Sequence, residues 1–146
     1  MIRFWTAFLA MMTFVSLDFA QNKQESAYVY HQKTGKLTLN NQVITTGYSG
    51  KGKGLNNPSM QGVKNTGPIP KGLYKIREPR IFKGMKNCFD LTPVGDTETF
   101  GRSEFLIHGD NTKKNQSASE GCIIIDKSVR DEIAKSKIRL LRVIAD

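Results

Sequence analysis

Cysteine and histidine are scarce: 146 residues hold only Cys88, Cys122, His31 and His108. That scarcity excludes a disulfide-dense scaffold. Without His-x-x-x-His or Cys-x-x-Cys spacing, no metal-ligand set is assigned either. Acid is short as well, since 13 Asp and Glu against 22 Lys and Arg leave a net charge of +9. No aromatic-interleaved basic cluster accompanies the surplus, so nucleic acid is not an expected partner. The charge suits an anionic envelope, cell-wall polymer or acidic headgroups. Equally, lysines such as Lys51, Lys53, Lys64, Lys71, Lys83 and Lys86 suit a merely soluble surface. Internal repeats are absent, and the spaced glycines of 47–72 lack the Lys-Ser/Thr ending of a phosphate loop, which excludes nucleotide binding. No cofactor is called for.

The long hydrophobic run that a membrane span needs is also missing. The apolar stretch 4–15 behind Arg3 falls short of the roughly 20 residues that cross a bilayer. Followed by Ala20 and the polar Gln21-Asn22-Lys23, it reads as a signal peptide over 1–20, with an uncleaved N-terminal anchor as the alternative. A linker over 21–27 and one domain over 28–146 follow, placed in the periplasm or otherwise exported.

Within the domain the pattern is mainly β. Short alternating runs at 28–30, 36–39 and 43–46, separated by Thr34-Gly35 and Asn40-Asn41, predict a meander. Residues 47–72 carry too many Gly, Pro and Asn for a regular element and are expected to be a binding loop that walls a substrate cleft. Strands are expected at 73–76, 88–93, 103–108, 122–125 and 139–144. In the second of these, Cys88 and Asp90 face opposite to Phe89 and Leu91. One helix is expected over 128–137, capped by Ser128. The fold class is a small β-sandwich or barrel with one short C-terminal helix.

Chemistry concentrates around His108 and Cys122, fourteen positions apart. A free thiol titrates near 8.5 and needs a base to become a nucleophile at neutral pH, which a histidine can supply. Gly121 would let the backbone approach a substrate carbonyl so that main-chain N–H groups meet the developing oxyanion. Asp110 or a main-chain carbonyl would orient His108. The rival reading is a silent wall-binding module in which a Cys88–Cys122 disulfide removes the nucleophile.

The segments His108-Gly109-Asp110 and Ser119-Glu120-Gly121-Cys122-Ile123 resemble the active-site signature of L,D-transpeptidases. Gly67-Pro68-Ile69-Pro70-Lys71-Gly72-Leu73-Tyr74 resembles a further segment of that family. Together with Tyr48-Ser49-Gly50, Asn56-Asn57-Pro58 and Gly101-Arg102-Ser103, the set is similar to the L,D-transpeptidase-like effector domain delivered by type VI secretion systems. The resemblance implies an L,D-transpeptidase-like fold acting on peptidoglycan stem peptides. Cys122 would be the nucleophile and His108 the general base and acid, with Arg102, Ser119, Tyr48 and Asp110 as substrate-binding candidates. An effector would also have a cognate immunity protein. The chain departs from the cell-wall enzymes at Glu120, where they usually carry His, and at Ile124, where they carry Arg. Those departures favour the effector-like branch, with water or an amine completing the reaction.

Overall fold

The computed structural model describes residues 24–146. The leader expected at 1–20 and the start of the 21–27 linker lie outside the described residues. In chain order the strands are β1 (Tyr28–His31), β2 (Lys36–Leu39), β3 (Gln42–Thr46), β4 (Tyr48–Ser49), β5 (Gly72–Ile76), β6 (Arg80–Phe82), β7 (Met85–Val94), β8 (Phe105–His108), β9 (Ile123–Ile124) and β10 (Leu140–Ile144). One helix, α1 (Lys127–Lys135), stands between β9 and β10.

The first three strands form the expected meander. Asn40 and Asn41 take φ of 50° and 62°, the two left-handed positions of a tight hairpin turn. β1 then pairs in parallel with β10, and the sheet continues β10-β5-β7-β8-β9-β4, with β6 paired to β7 off the path. Its two edges, β3 and β4, are neighbours in sequence with only Gly47 between them. The sheet therefore curls until its ends nearly meet, and the result is a mainly β, barrel-shaped fold. Gly47 is required at this seam: a Cβ there would fall 1.9 Å from the Ile124 carbonyl oxygen.

One face of the sheet packs Tyr30, Tyr74, Phe89, Ile107, Ile123 and Leu141, all essentially sealed from solvent. Removing each such side chain from water contributes about 1.5–3 kcal/mol. Ile133 of α1 joins the same cluster.

Three expectations need adjusting. β4 and β6 were not anticipated, being two and three residues long. The helix begins at Lys127 and ends at Lys135, not over 128–137, and its capping position is Asp126. The Ser128 hydroxyl, expected to cap, donates to the Asp126 carboxylate instead. Finally, the 47–72 segment, expected to hold no regular element, contains β4 and is fastened to the sheet. Buried Gln32 donates to the Ile69 carbonyl at 2.8 Å, Ile69 N–H donates to Ser49 Oγ at 2.9 Å, and Lys51 N–H donates to the Thr66 carbonyl at 3.0 Å.

Candidate active site

β8 and β9 run in parallel, with Ile107 beside Ile123 and His108 beside Ile124. Side chains alternate along a strand, so Ile107 and Ile123 turn into the core while His108 and Ile124 turn to the other face. Cys122, one residue before β9, shares that outer face with His108, displaced by two residues along the strands. One strand spacing and two residue rises put the two Cα atoms ~8 Å apart, and the Cys122 thiol donates to the Glu104 carbonyl at 3.8 Å. Both residues line one cleft of about 420 Å³.

His108 Nδ1 donates to the Gly109 carbonyl at 2.7 Å. A carbonyl can only accept, so the proton resides on Nδ1 and Nε2 carries the free lone pair. The carbonyl, not Asp110, is therefore the orienting group. Burial pushes the imidazole below its ordinary range; the Gly109 contact opposes this, while the charges of Lys83 and Arg130 add to it and Asp110 works against them. Burial pushes the Cys122 thiol up, offset in part by the Leu106 backbone and the Lys83 charge. Both shifts favour the neutral thiol and the neutral imidazole over a thiolate–imidazolium pair.

The residues around the pair act mostly as a frame. Ser119 is wholly buried: its hydroxyl accepts from Gly50 N–H at 2.9 Å and Gly121 N–H at 3.2 Å, and donates to the Cys122 carbonyl at 2.5 Å. It shapes the turn before the cysteine and is closed to substrate. Gly121, expected to serve an oxyanion, has its N–H turned to Ser119 and its carbonyl accepting from Ser49 Oγ at 3.3 Å. It must be glycine because φ is +133° and a Cβ would lie 2.5 Å from Arg102 Nη2. The Cys122 N–H has no hydrogen-bond partner among the described residues.

Arg102, expected to meet a substrate carboxylate, is buried. Its guanidinium donates to the carbonyls of Gln61, Pro68 (2.8 Å), Gly67 (2.9 Å) and Glu120 (3.1 Å). It clamps the 47–72 segment to the cysteine turn. Tyr48 and Asp110 brace the intervening loop: Tyr48 Oη donates to Asp110 Oδ1 at 2.7 Å and accepts from Ala118 N–H at 3.2 Å. Burial and that carboxylate push the Tyr48 phenol up to about 12. Asp110 itself reaches the cleft; of the 47–72 segment, Asn65 does so among the described residues.

Extending the β7–β8 register, in which Phe89 faces Ile107, sets Cys88 across from His108. Cys88 is fully buried, with Arg130 Nη1 donating to its sulfur at 3.5 Å. β8 lies between the two cysteines, so at least two strand spacings, roughly 9.5 Å, separate their Cα atoms, beyond the ~7 Å limit of a disulfide. Both thiols are free, which removes the premise of the silent-module reading. Ile124, where the cell-wall enzymes carry arginine, is buried between Tyr48 and His108, so a cation there would be desolvated. Phe82, whose ring centroid lies 5.1 Å from that of His108, and Lys83 beside it in the cleft are not among the expected site residues. A Phe-Lys-Gly-Met hairpin turn was the available signal.

No curated protein and no solved structure matches the chain. The Tlde1 domain model matches residues 44–145, from within β3 to the penultimate residue and across the whole cleft, and the chain belongs to the Tlde1 domain family.

Proposed function

We propose that the chain is a cysteine acyl-transfer enzyme of peptidoglycan, an L,D-carboxypeptidase and/or an L,D-transpeptidase exchanging D-amino acids on tetrapeptide stems. The observation that carries this reading is the shared outer face of Cys122 and His108 within one cleft, with Nε2 left as the proton acceptor. His108 Nε2 takes the thiol proton as Sγ attacks the carbonyl of the diamino acid's L-centre, and the oxyanion forms beside the Cys122 N–H. Collapse breaks the C–N bond, and the imidazolium returns its proton to the departing D-alanine amine, leaving a thioester. Water then yields the carboxypeptidase product; an incoming amine yields exchange or a cross-link. The directions of the two shifts favour a thiol that is activated as the substrate binds over a stored thiolate.

Membership of a type VI secretion effector family supports delivery into a neighbouring cell's periplasm and a cognate immunity protein as partner. The basic surface, +9 overall, suits an anionic wall. Incubating the protein with tetrapeptide muropeptides and weighing the products tests the activity: the wild type is expected to release D-alanine and Cys122→Ala to release none. Release that persists in Cys122→Ala sinks the assignment, and incorporation of an added D-amino acid separates exchange from hydrolysis.

A further inference from the structure

We propose that Lys83 is the anion site of this cleft and receives the free carboxylate of the amino acid that leaves when Cys122 is acylated. The proposal rests on the acyl-transfer reading and adds to it the recognition of a carboxyl-terminal leaving group.

Four cations surround the reacting pair, and three are already engaged. Arg102 is filled by carbonyls, Lys51 Nζ pairs with Glu120 at 2.8 Å, and buried Arg130 donates to the Lys86 carbonyl at 2.7 Å and to Cys88. Lys83 is exposed, lines the cleft and makes no ion pair among the described residues. Its Nζ stands 5.3 Å from the centroid of the Phe82 ring, the ring that also meets His108. One aromatic surface thus carries both the imidazole and the ammonium.

Direction follows from register. β7 is antiparallel to β8, so the β6–β7 turn lies beyond the His108 end of β8, while Glu104 lines the cleft at the opposite end. The amine protonated by His108 leaves on the His108 side, and its carboxylate, one carbon further on, points to Lys83. The reverse orientation would set carboxylate against the Glu104 carboxylate. The other acids of the cleft are engaged: Glu120 by Lys51, and Asp110 by Tyr48 and by Asn111 N–H at 2.8 Å.

The turn itself does not ask for lysine. Lys83 and Gly84 are its two central residues, between the paired Phe82 and Met85, with φ of 47° and 78°. Such turns favour Asn or Asp first, and a lysine is disfavoured in the left-handed region. Lys83→Asn therefore removes the charge while suiting the hairpin.

Two measurements test the site. On tetrapeptides ending in a free acid or an amide, the wild type is expected to show about tenfold lower KM for the acid, the worth of one charge-assisted contact. Lys83→Asn is expected to abolish that preference and Lys83→Arg to keep it. Independently of peptidoglycan, the ratio of Cys122 alkylation rates by iodoacetate and iodoacetamide cancels thiol ionisation, since both displace iodide by the same thiolate. With Cys122→Ala as the background control, this ratio is expected to fall several-fold in Lys83→Asn, as an attractive charge is lost. An unchanged ratio overturns the anion site. A fallen ratio in a protein that releases no D-alanine upholds the anion site and removes only the peptidoglycan assignment.

Discussion

Two thiols share one face of the barrel with the same histidine, and their surroundings differ in every respect that matters for reactivity. Cys88 sits across a single strand spacing from His108, yet it is sealed, with the Arg130 guanidinium against its sulfur and its S–H directed at the Met85 carbonyl at 3.4 Å. Cys122 lies on the diagonal, half-buried, at the head of a turn that opens into the cleft. Nearness to an imidazole therefore does not distinguish the two thiols; access to the cleft does.

The largest test of that contrast is activity. Cys122→Ala is expected to lower turnover of tetrapeptide stems by at least ~10³-fold, as removal of a nucleophile does. Cys88→Ala is expected to leave it within about threefold in the same assay. A large loss from Cys88→Ala would break the comparison. Next comes the turn: Ser119→Ala strips three hydrogen bonds from a sealed site and is expected to cost about 2–4 kcal/mol in urea unfolding, where a change below 1 kcal/mol would make the turn self-supporting.

pH sharpens the contrast further. A lowered imidazole keeps its base form as pH falls past the ordinary histidine value of about 6.5, so kcat/KM is expected to decline only below that value. The same shift makes the unfolded chain bind the proton more readily, so His108 costs no stability above about 6.5 and progressively more below it. Arg130→Met removes a charge that holds the imidazole down, and the acid limb is expected to move to higher pH; no movement would detach Arg130 from the pair. With no substrate bound, iodoacetamide labelling of Cys122 is expected to rise only above the usual thiol range near 8.5. The smallest effect is on Cys88 itself, where alanine is expected to cost about 1 kcal/mol by thermal unfolding.

The candidate pair was legible because it was rare: one histidine and one cysteine, each at the edge of an apolar run, with few competitors. The meander was equally plain from Asn40-Asn41 and its flanking alternation. Roles were harder. Arg102, Ser119 and Tyr48 lie within the segments that carry the resemblance, which makes them candidates for substrate contact. Their partners are carbonyls and amides up to 70 positions away, which local sequence cannot display. Lys83 passed as one of many surface lysines, since its place beyond His108 depends on the β7–β8 register. β4 is a strand only because β9 lies beside it; two residues carry no period of their own.

The glycine seam also bears on when the cysteine turn is completed. β4 reaches β9 only once Gly47 has carried the chain from one edge of the sheet to the other. It brings the Ser49 hydroxyl and the Gly50 N–H that fix the cysteine turn. Pairings between distant segments form late because their loop entropy must be overcome first. Closure of the barrel and completion of the cysteine turn are then a single event, and a chain whose barrel is still open lacks the turn that presents Cys122 to the cleft.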